Sequence, residues 1–181
     1  MNTTVSRLNT SVSTAFTVLT YCAAVMAATS FVLEMSSPGP ATGKMVAHPS
    51  RVVDLVLAHP LLPAKKRPIQ RAVVKFDIDA DFSRVFNWNT KQLYVFVVAE
   101  YETKDFKRNE ITLWDHIVTS KSDAILSKTN AVDYYFDDIA SGLSGATVTT
   151  RLKYHVMCHS GATFMREVEE AATTFVAKSS G

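Results

Sequence analysis

Between Arg7 and Glu34 the sequence contains no charged residue. Charge is what most strongly keeps a segment out of a bilayer. The denser part of this gap, Val12–Leu33, is 22 residues long. As a helix it reaches about 33 Å, against roughly 30 Å for a hydrocarbon core. Only Arg7 precedes Glu34, which excludes the arginine-rich composition of a mitochondrial presequence. The run is also longer than the apolar core of a cleaved signal peptide, about 7–15 residues, although Val25-Met26-Ala27 has the form of a cleavage site. The reading is a retained anchor. A short tail before it and a large domain after it place the amino terminus in the cytosol.

Cysteine is scarce as well. Cys22 lies in the apolar run and Cys158 in the distal part, so no internal disulfide framework is expected. A net charge of +2 gives no case for a nucleic-acid binder, and Lys65-Lys66-Arg67 reads as a solvated loop. Neither a GxSxG elbow nor HExxH or CxxC spacing occurs. No internal repeat is visible.

What is present is strand patterning. Val74, Phe76, Ile78, Ala80 and Phe82 alternate with Lys75, Asp77, Asp79 and Asp81, the mark of a half-buried strand. Leu93–Tyr101 differs. Leu93, Val95, Val97, Ala99 and Tyr101 share one face, yet Tyr94, Phe96 and Val98 on the other are apolar too. Further strands are expected at Arg51–Ala58, Ile111–Val118, Val132–Phe136, Val148–Met157 and Thr173–Ala177. A short helix is expected at Phe164–Ala172, where Glu and Ala favour it. Ser36–Gly43, with two prolines and two glycines, reads as linker, and His59–Pro68, with three prolines, as loop. Six or seven strands without intervening helices predict two packed antiparallel sheets.

Read together, MNTTVSRLNT, FDIDADFSRVFNWNTKQLYVFVVAEYET, ITLWDHIV, YYFDD, SGLSG and LKYHVMCHSG resemble the third-subunit family of the eukaryotic signal peptidase complex. The likeness spans the anchor and Val73–Gly161 and is weak over Pro38–Arg71 and the last twenty residues. It implies a type II membrane protein of the endoplasmic reticulum with a luminal β-sandwich that supports a separate proteolytic subunit without being the protease. The implied division is a cytosolic tail at 1–11, a signal-anchor helix at 12–33, a linker at 34–50 and the luminal domain at 51–181. The implied partners are the catalytic and other subunits of the complex and membrane lipid, with no cofactor, metal or nucleic acid. The chain departs from the family in lacking an Asn sequon in GATVTTRL, and in carrying Tyr154 and Cys158 where a Trp and a Pro are usual.

The residues offer few rival chemistries. Asp77, Asp79 and Asp81 could gather a cation, but an EF-hand loop needs Gly and Glu where Phe82 and Trp88 stand. Asp115 cannot orient its neighbour His116, because adjacent strand residues point to opposite faces. The rival from another class is a membrane-tethered hydrolase acting alone. Candidate contacts are Trp88, which is as well suited to a core as to a partner, with Tyr94, Phe96 and Val98 behind it. Thr20, Ala23, Ala24, Ala27 and Ala28 form a small-residue helix face suited to packing on another membrane helix. The second face of Leu93–Tyr101 is covered either by Arg51–Ala58 or Phe164–Ala177 folding back, or by the proteolytic subunit with Trp88 at the rim.

Overall fold

The computed structural model describes residues 3–36, 39–59, 62–104, 106–139 and 142–179. Among the described residues an α-helix, α1 (Thr4–Met35), precedes a domain of ten strands. Thr3 caps the helix by accepting a hydrogen bond from the Ser6 N–H at 3.3 Å. Four of its threonines satisfy their hydroxyls within the helix. Thr10, Thr14, Thr17 and Thr20 each donate to the carbonyl four residues earlier, at 2.8–3.0 Å. This removes their demand for water and lets a Thr-rich segment suit lipid. The helix over Thr4–Leu33 is long and apolar enough to cross a membrane.

The strands are β1 (Thr42–Pro49), β2 (Val53–His59), β3 (Leu62–Ala72), β4 (Val74–Asp81), β5 (Thr90–Tyr101), β6 (Asn109–Val118), β7 (Ile125–Ala131), β8 (Phe136–Asp138), β9 (Thr147–Cys158) and β10 (Thr163–Val176). They form three antiparallel sheets, ordered β1-β4-β7, β10-β9-β5-β6 and β2-β3-β8. The first two face each other across one core. Phe76, Ile78 and Ala80 from β4 pack in the same buried cluster as Leu93, Val95 and Val97 from β5 and Leu152, Tyr154 and Val156 from β9. Phe82 meets Tyr154 edge-to-face at 5.3 Å. Each fully buried large side chain there contributes about 1.5–3 kcal/mol of hydrophobic stabilisation.

Four local expectations are corrected. The segment expected as linker contains β1, paired with β4 from Thr42↔Asp81 to Pro49↔Val74. Much of the expected loop His59–Pro68 is β3, which forms a hairpin with β2; residues 60 and 61 lie outside the described ones. Its prolines are tolerated because β8 pairs β3 only from Gln70 to Ala72, leaving β3 one open side at Pro63 and Pro68. Phe164–Ala172 belongs to β10 rather than to a helix. Pairing with β9 overrides propensity, and the helix-favouring Glu169, Glu170 and Ala171 fall within the register shift between Glu167 and Ala172. Val132–Tyr135 is not strand but joins β7 to β8, with the Tyr134 N–H donating to the Leu113 carbonyl at 3.1 Å.

The glycine at position 43 is a requirement of β1. A Cβ there would stand 2.5 Å from Ala80 Cβ and 2.7 Å from its Cα. Gly43→Ala should therefore destabilise the chain by about 1–3 kcal/mol through overpacking. Thermal unfolding of the detergent-solubilised protein measures this, and an unchanged midpoint would mean that β1 is not held against β4 as described.

Candidate interaction site

The helix is fastened to the domain by a small polar knot. Ser30 is 1% exposed, although it interrupts an apolar run. Its hydroxyl lies 2.9 Å from the Met26 carbonyl and 2.7 Å from Ser160 Oγ, and it accepts from Asn89 Nδ2 at 2.8 Å. One residue on, Phe31 meets Phe164 edge-to-face at 5.6 Å. The domain supplies two turns to this knot. In the first, the Asn89 N–H donates to Asn87 Oδ1 at 2.8 Å, and the Thr90 N–H donates to the Asn87 carbonyl at 3.1 Å. Asn87 thus makes a side-chain turn around Trp88. In the second, the Cys158 N–H donates to the Ala162 carbonyl at 2.9 Å and Gly161 takes φ +87°. A proline at 158 would have no N–H to give. The His159 N–H joins the turns by donating to the Asn89 carbonyl at 2.8 Å.

The second region is the face of the β10-β9-β5-β6 sheet turned away from the core. Phe96 and Val98 are 8% and 2% exposed, yet neither belongs to the core cluster. Phe96 stacks with Tyr94 at 5.1 Å and with His155 at 5.3 Å. The ladder sets Lys153 opposite Phe96 and Arg151 opposite Val98. Both long side chains, beside the apolar ones in the ladder, pair with carboxylates. Lys153 Nζ is 2.7 Å from Glu100 and 3.1 Å from Glu110, and Arg151 reaches Glu100 at 3.2 Å and Glu167 at 2.6 Å. Neither segment expected to fold back does so. Phe164–Ala177 extends the same sheet as its edge strand, and the strand within Arg51–Ala58 pairs with β3 in another ladder. Ile117 and Met165, opposite Tyr94 and His155, remain exposed at the margins.

The four candidate domain contacts thus fall into two groups. Tyr94, Phe96 and Val98 lie on the sheet face, while Trp88 stands exposed at the turn that holds Ser30. On α1, Thr20, Ala23, Ala24, Ala27 and Ala28 are all exposed. The acidic strand face has its own partners: Asp77 takes His48 Nε2 and the Asn130 N–H, each at 2.8 Å, and Asp81 takes the Ser83 N–H at 2.7 Å. Asp115 faces Phe96 while His116 faces Val95, on opposite sides of the sheet, and Asp115 accepts from the Tyr134 hydroxyl at 2.6 Å. Sequence reasoning missed Ser30, Asn89 and Ser160. The available signal was a Ser near the end of an apolar run, facing the Asn of a turn. It also missed the Lys153 network, since Lys153 and Glu100 meet only through the β5–β9 register.

The network has a definite pH response. The Lys153 hydrogen bond holds the Glu100 carboxylate below its ordinary 4.5. Burial pulls the Lys153 ammonium down, but its two carboxylate partners outweigh that and leave it above its ordinary 10.5. Glu100 therefore contributes stability that is present above pH 4.5 and lost as pH falls through its lowered folded value. Lys153 contributes stability present below pH 10.5 and lost as pH rises through its raised one. Glu100→Gln should cost about 1–2 kcal/mol near neutral pH, the low end because the Glu100 side chain is 32% exposed. The deficit should shrink in acid, where the wild-type carboxylate is itself protonated. Melting curves of both chains at neutral and acid pH check this, and a deficit that persists unchanged in acid would exclude the ionic account.

The comparisons with known proteins give the fold its relatives. A family described as signal peptidase subunit matches residues 1–178. Signal peptidase complex subunit 3 of Debaryomyces hansenii is 38% identical over 109 residues, covering 59% of this chain and 57% of that protein. The Caenorhabditis elegans protein of the same name is 36% identical over 102 residues, covering 55% and 56%. The Homo sapiens one is 39% identical over 90 residues, covering 49% and 50%. In these alignments the chain spans about half the length of the relatives it matches. With the family matched over nearly its whole length, this chain, an apolar helix pinned to an all-β domain, belongs to the signal peptidase subunit family.

Proposed function

We propose that this protein is a non-catalytic accessory subunit of the endoplasmic reticulum signal peptidase complex, a type II membrane protein whose β domain lies in the lumen and supports the proteolytic subunit. The observation that carries the reading is the family match over residues 1–178. The geometry supports a scaffolding role, because a helix bonded to its domain through Ser30 fixes the domain relative to the bilayer. The Tyr94–Phe96–Val98 face, with exposed Ile117 beside it, is the proposed contact for the proteolytic subunit. The alanine face at Ala24 and Ala28 is proposed to pack on a neighbouring membrane helix of the complex.

The rival, a hydrolase acting alone, is separated by assaying the purified chain on a signal-peptide substrate with and without the proteolytic subunit. Cleavage by the chain alone would end the accessory reading. Ile117→Glu changes an exposed residue and should leave melting unaltered while weakening co-purification of the proteolytic subunit from solubilised membranes. Full recovery of that subunit would remove this face from the interface.

The side of the membrane is tested at the β8–β9 turn. Gly145 has φ +83° and nothing within 4 Å of a Cβ built there. Asn tolerates that conformation. Gly145→Asn creates the sequon Asn-Ala-Thr, and a luminal domain should gain one endoglycosidase-sensitive glycan on expression in cells. Absence of the glycan on the folded, membrane-inserted chain would contradict the luminal placement.

A further inference from the structure

The turn that carries Trp88 is tied to a known height on the helix. Asn89 bonds Ser30, and Ser30 precedes Glu34, the first charged residue after the apolar run, by four positions. At 1.5 Å per residue this is about 6 Å along the axis, comparable with the interfacial layer on one side of a bilayer. Neighbouring Cα atoms are 3.8 Å apart, so Trp88 stands at nearly the level of Asn89. It is 64% exposed at this level. An indole has an apolar ring and one N–H donor, which suits it to the boundary between hydrocarbon and headgroups better than to either alone. The surroundings on this side of the domain agree: Phe31 and Met165 are exposed, flanking Phe164, which Phe31 meets edge-to-face.

We propose that the Phe86–Asn89 turn is a lipid-contacting site, in which the Trp88 side chain enters the interfacial layer of the bilayer and the Ser30–Asn89 bond holds it at that depth. The occupant is phospholipid, because the turn is bonded to the membrane helix itself within the last turns of its apolar run. A second fastening then accompanies the helix. The helix sets where the domain is anchored, and Trp88 resists its tilting away from the membrane surface. The inference rests on α1 crossing the bilayer and is independent of membership in a peptidase complex.

The test uses the full chain reconstituted in phosphatidylcholine vesicles whose acyl chains are brominated either near the headgroup or near the methyl ends. The chain has two tryptophans, and Trp114 is 4% exposed in the core, so the difference between wild type and Trp88→Phe isolates the Trp88 emission. A Trp114→Phe chain reads the same signal directly. Alkaline extraction of the same vesicles reports helix insertion separately, so failure of insertion is distinguished from failure of contact. In inserted chains Trp88 should lose more than half its emission with the shallow bromines and little with the deep ones, and it should resist aqueous acrylamide. Strong acrylamide quenching without bromine quenching would overturn the site. Trp88 that becomes shielded only on adding other subunits would overturn it in favour of a protein contact.

Discussion

Strand β5 is apolar on both faces, and the domain is arranged to keep water from each of them by different means. Its core face is solved in the ordinary way: Leu93, Val95, Val97 and Ala99 are fully buried against β4 and its neighbours. The outer face has no such layer among the contacts described. There Phe96 is closed off by Tyr94 and His155, and the stems of Lys153 and Arg151 extend beside it and Val98. A buried ammonium is costly unless paired. Two carboxylates from β5 and β6 meet that requirement for Lys153. The ion network and the apolar stripe thus share one sheet face, with Lys153 set opposite Phe96 and Arg151 opposite Val98.

The same strand begins one residue after Asn89, the residue that binds the membrane helix. A serine in a lipid-facing helix can satisfy itself by bonding back to the preceding turn, as the threonines of α1 do. Ser30 does this with Met26 and also engages Asn89 and Ser160. At the edge of a bilayer such bonds face less competition from water than they would on an open surface, so they can define an angle as well as a contact. Phe31 on Phe164 adds an apolar contact beside the polar one.

Much of this was legible in the residues, and what was not has physical causes. The span was visible because an uncharged run is a one-dimensional property. Strands β4, β5, β6 and β9 were visible because their alternation is strong. β1 and β3 were hidden by Pro and Gly, which usually mark loops but are admitted here at an edge and at a close approach: Gly43 faces Ala80, and Pro68 lies where β3 pairs on one side only. The second part of β10 was legible as the strand expected at Thr173–Ala177, while Phe164–Ala172 was mistaken for helix because Glu and Ala propensities are weak beside pairing with β9 on both sides of the register shift. The sites were less readable than the fold. Lys153 meets Glu100 and Ser30 meets Asn89 only through long-range register and docking, which spacing does not encode. The double apolar face of β5 did pose the correct question, while the segments proposed to cover it were the wrong ones.

Together these features limit where the apolar stripe can lie. Counting from Asn89 at about 3.3 Å per residue, Tyr94 is no more than about 17 Å and Val98 no more than about 30 Å along the strand from the helix junction. The stripe therefore stays within about 30 Å of the helix junction whatever the tilt of the strand. Its orientation about the helix axis is fixed as well, because Ser30 and Phe31 are adjacent on α1 and both engage the domain. A flexible linker would leave height and bearing free, and the entropy of ordering them would fall on any partner that bound. Here folding has already ordered them, so the apolar surface is presented at a set position relative to α1 with little further cost.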